Sequence, residues 1–415
     1  MMQTLPSTPR ANGQAWGGVF ALSLGAFALV ASEFMPVSLL TPIATDLHIS
    51  EGQAGQAISV SGAFALTTSL FISSLAGKRD RKVLLLWLTA LMIVSASVVS
   101  FAPNYTTFLF GRALIGVAIG GFWSMSAATA MRLVPDHQVP RALAVVNGGN
   151  ALASVVAAPV GSFLGAMIGW RGAFFCLVPV AAIAFTWKAV SLPSMEPERG
   201  SVSQSVLQIL RRPSIGWGMA AVSLFFMGQF TLFTYLRPFL ETVTHVRASM
   251  LSLLLLGMGV AGFMGTTVIG RFLKQSLHLT LIVIPALMAM IAIALLSFGS
   301  SLLLAALLLA VWGLIATAAP VAWWTWLARA LPQEAETGGG LMVAIIQLAI
   351  AFGATMGGVV FDLNGYQATF GISAGLLAIA AVLAAVAQRS AHPTPSRITR
   401  REDICDLTTA EEVCR

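Results

Sequence analysis

The sequence has few charged residues. Asp, Glu, Lys and Arg make up 9% of its 415 residues, whereas 57% are apolar, and a soluble globular domain carries roughly 25% charged residues. The chain also lacks a phosphate-binding GxxxxGK[ST] loop and an HExxH zinc motif. These absences exclude a water-soluble domain and an ATP-driven motor, and we expect no enzymatic activity, no cofactor and no metal site.

Cysteine is scarce. Cys176 lies in an apolar run, and Cys405 and Cys414 lie in a polar tail. This spacing fits neither a disulfide framework nor a zinc site, so we expect three free thiols. The formal charge of +7 is spread over short polar segments rather than gathered in one basic patch, so we expect no nucleic-acid partner.

The sequence is dominated by long apolar runs. They lie at 16–42, 53–76, 83–102, 105–131, 141–168, 171–191, 215–240, 248–272, 279–298, 301–328, 338–361 and 367–388. Each is long enough to cross a bilayer as a helix, which takes about 20 residues. A transmembrane β-barrel would show alternating segments of about ten residues. The runs therefore predict an all-α membrane protein with twelve transmembrane helices.

The basic residues predict the topology. With a cytoplasmic N-terminus, nineteen of the 23 Lys and Arg residues fall in or beside cytoplasmic segments, and only Arg171, Arg237 and Arg247 fall in outer loops. Positive charge favours the cytoplasmic side, so we expect both termini there. The first apolar run is too long for a signal-peptide core, so the N-terminus is expected to be retained.

A polar stretch divides the chain. We predict a cytoplasmic N-terminus at 1–15, a six-helix bundle at 16–192, a cytoplasmic linker at 193–214, a second bundle at 215–388 and a polar tail at 389–415. The segments 158–175 and 354–370 also align at a fixed offset, which matches Gly161 with Gly357, Gly169 with Gly365, Trp170 with Tyr366, and Phe174 with Phe370. Two related six-helix bundles are typical of transporters that rock around a central site.

Two ionisable residues lie deep within predicted spans. Glu33 precedes Pro42 by nine residues and Arg112 follows Tyr105 by seven, which places them about 13 Å and about 10 Å from the outer ends of their helices. A charge at such depth costs roughly 2.5–3.5 kcal/mol and is a functional candidate by default.

The two charges allow two interpretations. In the first, Glu33 binds and releases a coupling proton, and its distance from Arg112 controls its proton affinity. In the second, Glu33 and Arg112 form a permanent ion pair that only joins two helices.

The fifth helix contains Pro159, Gly161 and Gly165, which would weaken it and create a bend or a loose packing face.

Several motifs resemble the major facilitator superfamily. Arg112-x-x-x-Gly116-x-x-x-Gly120 is similar to its fourth-helix motif, and residues 157–165, AAPVGSFLG, resemble its fifth-helix antiporter motif, with Ala158 in place of glycine. Residues 77–82, GKRDRK, resemble a shortened form of its cytoplasmic gating motif, which implies a gate at Gly77, Asp80 and Arg81. Residues 33–40, EFMPVSLL, are similar to the first helix of the twelve-span drug:proton antiporters, particularly the sugar and nucleoside exporters.

The resemblance implies a proton-coupled exporter in the bacterial inner membrane, and we expect a monomer that binds a small-molecule cargo, protons and the lipid bilayer. Its expected cargo is a purine ribonucleoside such as inosine or guanosine; arabinose-like sugars or diverse drugs are the alternative. A nucleoside receptor that signals through its tail is the hypothesis from another class. Vesicle uptake separates these functions, because a receptor binds nucleoside without accumulating it.

A flat, polar cargo needs amide partners and an aromatic surface. The candidates for these contacts are Trp123, Asn147, Asn150, Gln229, Tyr235, Trp323 and Gln347. Each amide could instead bond another helix, and each tryptophan could simply pack or lie at the membrane interface.

Overall fold

The computed structural model describes residues 12–76, 79–195, 210–331 and 335–391. Within them the chain is helical apart from short connections. The long helices are Asn12–Ser38, Glu51–Ala76, Arg81–Ser100, Tyr105–Leu133, Val139–Phe175, Leu177–Ser191, Pro213–Phe233, Ala248–Phe298, Leu302–Ala330 and Ala335–Ala391, and the short ones are Leu40–Leu47 and Leu236–Thr242.

Nine helical segments of the described chain are long and apolar enough to cross a membrane. Three of these segments each contain two crossings, because the backbone leaves the helical conformation at Gly169, Ser276 and Gly365. Twelve spans result, and the three breaks fall in predicted connections. We number the spans in chain order; short helices complete spans 1 and 7 beyond breaks near Leu39 and Thr234.

The two aligned segments share an unusual local structure. Gly169 (φ 76°, ψ 164°) and Gly365 (φ 75°, ψ −174°) both adopt a conformation that only glycine reaches easily. The aromatic pair after each glycine is also alike. Trp170 and Phe174 meet edge to face at 6.3 Å, and Tyr366 and Phe370 do so at 6.1 Å. The predicted fold of two related bundles is therefore confirmed.

The conformation of Gly169 gives a stability prediction. Alanine there has room for its Cβ, since no atom lies within 4 Å, but the backbone strain costs about 1–3 kcal/mol. We expect Gly169→Ala to lower the thermal unfolding temperature of the purified protein in detergent. Gly257→Ala is the matched control, because Gly257 is helical and equally open; equal unfolding temperatures for the two variants would contradict the prediction.

The buried apolar side chains form two clusters. One comes from residues 19–195 together with Tyr235, and the other mainly from residues 215–384. We call the two groups of six spans the N-half and the C-half. Trp16 donates a hydrogen bond to Gln138, and Gly17 packs on Ser191, so the start of span 1 and the end of span 6 lie at one end of the bundle. We call it the terminal end and its opposite the distal end.

Candidate functional site

Glu33 lies where the two halves meet. Its side chain is 8% exposed, and no other acidic side chain among the described residues is buried to this extent. The next residue, Phe34, contacts two rings of span 7, with centroid distances of 6.1 Å to Phe230 and 6.2 Å to Phe233. The carboxyl group is therefore held in the N-half, beside the C-half.

Arg112 is fully buried beside Glu33 and bonds other groups. Its guanidinium donates to the carbonyl oxygen of Ser32 at 2.8 Å, to that of Ala57 at 3.3 Å and to the hydroxyl of Ser61 at 3.2 Å. In the described part of the chain, no Glu33–Arg112 ion pair within 4.0 Å is found. The cation thus ties spans 1, 2 and 4 together through neutral oxygens and leaves the carboxyl group available.

Gln347 approaches Glu33 from the C-half. Its side chain is 5% exposed and interacts with the Glu33 carboxyl group, outside strict hydrogen-bond geometry. Its backbone oxygen lies close to Gly62 of span 2, where a Cβ would come within 3.0 Å of it. A predicted cargo residue is therefore placed at the predicted proton site.

Span 2 packs closely against span 11 from this point to the distal end. We call this contact the distal seam; it is formed by Gly52, Ser59 and Gly62 on span 2 and by Asp362, Gly358, Thr355 and Ala351 on span 11. Thr355 donates to the hydroxyl of Ser59 at 2.8 Å. The small residues let the two helix backbones approach closely.

Asp362 closes the distal end of the seam. Its carboxylate accepts a hydrogen bond from the backbone N–H of Gly52 at 2.9 Å and another from the hydroxyl of Ser50. A carboxylate is favourable at a helix N-terminus, where N–H groups lack partners. Here the acid of one half caps a helix of the other half.

Arg237 adds a second distal contact between the halves. Its guanidinium donates to the carbonyl oxygen of Ser38, which lies at the break in span 1, and its Nε donates to Glu241 at 2.8 Å. Tyr235 lies nearby and is fully buried. It donates to the carbonyl oxygen of Ala354 at 2.8 Å and fills the space beside Gly55. In this state the Tyr235 side chain packs beside the seam, against Gly55 and Gly358, and is not free to contact a cargo.

The predicted hinge residues pack against span 1. A Cβ on Gly161 would lie 2.7 Å from the Ser38 hydroxyl, and one on Gly165 would lie 2.3 Å from Leu39. The backbone stays helical through Pro159, and the non-helical residue of this helix is Gly169. The glycines therefore provide close packing at the break in span 1.

The predicted gate residues lie at the terminal end, and Gly77 is outside the described residues. Asp80 caps the helix of span 3 by accepting from Lys82 N–H at 2.8 Å, and it also accepts from Met195 N–H at 2.9 Å and from the Ser194 hydroxyl. Partial burial opposes ionisation, but these hydrogen bonds outweigh it and lower the pKa of the Asp80 carboxyl group. The Arg81 N–H donates to the carbonyl oxygen of Met195 at 3.1 Å. The gate motif thus holds the chain that follows span 6.

The remaining cargo candidates are placed differently from one another. Asn147 is exposed and donates to the carbonyl oxygen of Leu143, while Asn150 and Trp123 are half-buried. Gln229 is half-buried, and its Oε1 is enclosed without a hydrogen-bond partner among the described atoms. Trp323 is buried against Phe225.

Sequence reasoning missed Lys188. The sequence places it among the cytoplasmic flanking charges, but its side chain is fully buried in the N-half. Its Nζ donates to the hydroxyl of Thr89 at 2.9 Å and lies 4.8 Å from the ring centre of Phe122. A Cβ on Gly25 would come within 2.3 Å of Nζ, so the glycine makes room for the lysine. The available signal was its position three residues inside the end of span 6.

Among the described residues, no cluster of three or more His, Cys, Asp or Glu is placed to hold a metal ion. Cys176 is a free thiol, and Cys405 and Cys414 lie outside the described residues.

Relatives cover nearly the whole chain. A protein of Pseudomonas aeruginosa named transcription regulatory protein OpdE is 58% identical over 94% of this chain and 98% of its own length. The purine ribonucleoside efflux pump NepI of Salmonella paratyphi B is 41% identical over 94% of this chain and 99% of its own.

Solved transporter structures share the fold. A bacterial homologue of the lysosomal transporter Spinster, described as inward-facing and unoccupied, has a TM-score of 0.71 at 16% identity and covers 92% of this chain and 98% of its own. A D-xylose–proton symporter has a TM-score of 0.72 at 16% identity, with 89% and 97% covered.

The family model described as Major Facilitator Superfamily matches residues 22–354. The match spans most of both halves, and the relatives and structures agree with it. The chain therefore belongs to the Major Facilitator Superfamily and is a multi-pass, non-enzymatic membrane transporter.

Proposed function

We propose that the protein exports purine ribonucleosides such as inosine and guanosine in exchange for protons. The observation that carries the proposal is the position of Glu33, a buried carboxyl group at the junction of two halves that must move relative to each other. The nucleoside cargo is supported by the 41% identity with a purine ribonucleoside efflux pump over nearly the full length of both chains.

We propose an inner-membrane location with both termini in the cytoplasm, which is supported by the bias of Lys and Arg towards those segments. The distal end then faces outward. Its seam is closed by the contacts of Asp362 with Gly52 and of Thr355 with Ser59, which supports an inward-facing state. The two core clusters support a division into bundles at 16–192 and 215–388. Most of the linker, the N-terminal segment and the tail lie outside the described residues.

In the proposed cycle Glu33 takes up a proton from outside and releases it to the cytoplasm, with Arg112 as the fixed cation beside it. Opening the seam separates Gln347 from Glu33, and closing it brings them together. Pro159, Gly161 and Gly165 keep span 5 in close contact with span 1 during this movement. Asp80 and Arg81, with Gly77, belong to the gate at the cytoplasmic end.

The cargo contacts are proposed between the two halves, on the terminal side of the seam. Gln229 is the favoured amide, because its enclosed oxygen has no described partner and a buried acceptor without one is costly. Asn147, Asn150 and Trp123 are exposed or half-buried and remain candidates. Tyr235 and Trp323 would become accessible only after a rearrangement. One protein molecule holds the whole site, so we propose a monomer.

Inside-out membrane vesicles test the proposal. An imposed gradient, acidic inside, should drive accumulation of radiolabelled inosine, and a protonophore should abolish it. Arabinose and a lipophilic cation, measured in parallel, test the alternative cargoes. If arabinose or the lipophilic cation accumulates and inosine does not, the nucleoside is not the cargo and the accumulated compound takes its place.

A second candidate is a nucleoside receptor, favoured by the relative whose name is transcription regulatory protein. A receptor would bind inosine to the same vesicles without gradient-driven accumulation. Saturable binding that is indifferent to the protonophore would support this candidate over export.

A further inference from the structure

The side-chain amide of Gln347 has the chemistry either to bind a polar cargo or to bind the carboxyl group of Glu33. Its position in the structure favours the second role. It lies at the end of the distal seam nearest the terminal end, one turn beyond Ala351. It is packed against Gly62 of span 2, whose neighbour Ser61 accepts a hydrogen bond from Arg112 beside Glu33. At 5% exposure it has little surface left for a cargo molecule in this state.

We propose that Gln347 is a positioning residue that makes proton exchange at Glu33 depend on closure of the distal seam. This inference rests on the proposed proton-coupled function and removes Gln347 from the cargo site. An amide N–H binds a carboxylate more strongly than it binds a neutral acid. Whenever the seam brings Gln347 towards Glu33, it therefore changes the balance between the two protonation states.

The seam supplies the mechanical link. Span 11 holds Gln347 on the same helix as Thr355 and Asp362, which bond Ser59 and Gly52 of the N-half. The approach of Gln347 to Gly62 is close enough that an added methyl group would meet its backbone oxygen at 3.0 Å. Separating the halves along this seam must carry the amide away from Glu33.

Arg112 cannot provide the same link. It faces Glu33 from span 4, and its hydrogen bonds go to spans 1 and 2 of its own half. Arg112 therefore moves with Glu33 in the N-half, whereas Gln347 approaches from the C-half, with its backbone oxygen against Gly62. The arginine therefore supplies a constant field, whereas the glutamine supplies a contact that changes with conformation.

The test compares Gln347→Met with Gln229→Met, which removes an amide from the proposed cargo site. The first readout is gradient-driven inosine uptake by inside-out vesicles at a series of pH values. For Gln347→Met we expect the pH midpoint to move by about one unit with KM changed less than about twofold. For Gln229→Met we expect KM to rise about tenfold with the midpoint unchanged. Gln347→Asn should restore part of the wild-type pH response.

The second readout does not need transport. Spin labels at Thr106 and Asn364, both exposed near the distal end, report opening of the seam in a variant whose three native cysteines are serine. The distance distribution should respond to pH in the wild type, and much less in Gln347→Met and Glu33→Gln. A pH response of Gln347→Met equal to the wild type, or a raised KM with an unchanged midpoint, would overturn the inference. If the wild type accumulates no inosine, the proposed function fails, while the spin-label comparison still decides the role of Gln347.

Discussion

Replacing Glu33 by glutamine is expected to abolish proton-driven accumulation of inosine and to leave a folded protein in the membrane. Glutamine matches the size of glutamate and can hydrogen-bond Gln347, but it cannot exchange a proton. It also removes a charge whose burial costs roughly 2.5–3.5 kcal/mol, so folding should not suffer. The measurement is uptake into inside-out vesicles with and without a pH gradient, together with size-exclusion analysis in detergent.

Exchange without a gradient separates coupling from binding. Vesicles loaded with unlabelled inosine should still take up labelled inosine through Glu33→Gln, because the cargo contacts are intact. Glu51→Gln is the control, since Glu51 is a half-buried glutamate at the start of span 2. Its uptake should remain gradient-driven. A Glu33→Gln variant that accumulates inosine with the wild-type pH profile would remove Glu33 from the mechanism.

The architecture could be predicted from the sequence because each span must be long enough and apolar enough to cross the bilayer. The breaks at Gly169, Ser276 and Gly365 lie in segments that interrupt apolar runs, so they were visible as connections. The depth of Glu33 and Arg112 was also visible, since a charge inside an apolar run has few alternatives to burial. Composition and position along the chain were sufficient for these features.

The partners of the buried charges could not be predicted. Arg112 bonds the backbone oxygens of Ser32 and Ala57, and a backbone oxygen has no signature in the sequence. The sequence assigns Lys188 to the cytoplasmic flank because a lysine near a helix end usually extends its amine to water. The space beside Gly25, which admits the amine instead, depends on how spans 1 and 6 pack.

The contacts between the two halves could not be predicted from the sequence either. Asp362 lies at the predicted end of span 11, a position typical of a loop residue, but its carboxylate caps span 2 across the seam. The sequence predicts a cargo contact at Gln347 because an amide within a span fits that role. The pairing of span 2 with span 11 places Asp362 opposite Gly52 and Gln347 opposite Gly62. No residue spacing within a single span encodes that pairing.

Gly52→Ala is expected to hold the distal end open and to stop transport. A Cβ on Gly52 would lie 2.3 Å from Oδ2 of Asp362 and 2.6 Å from the backbone oxygen of Gly358. The carboxylate can turn away, but the backbone oxygen can move only if the two helices separate. Overpacking of this kind costs about 1–3 kcal/mol, which corresponds to about a 5- to 150-fold shift of the equilibrium away from the closed seam.

The spin-label pair at Thr106 and Asn364 measures that shift directly, and inosine uptake measures its consequence. The labels should report a longer mean distance in Gly52→Ala at every pH, because the obstacle is steric and independent of protonation. Gly148→Ala is the matched control, since no atom lies within 4 Å of a Cβ placed there; it should keep the wild-type distance and uptake. The two variants separate closure of the seam from proton exchange. Glu33→Gln removes the titratable carboxyl group and leaves the seam able to close. Gly52→Ala keeps the carboxyl group and prevents closure. Unchanged distances and normal uptake in Gly52→Ala would show that transport does not require the close contact of spans 2 and 11.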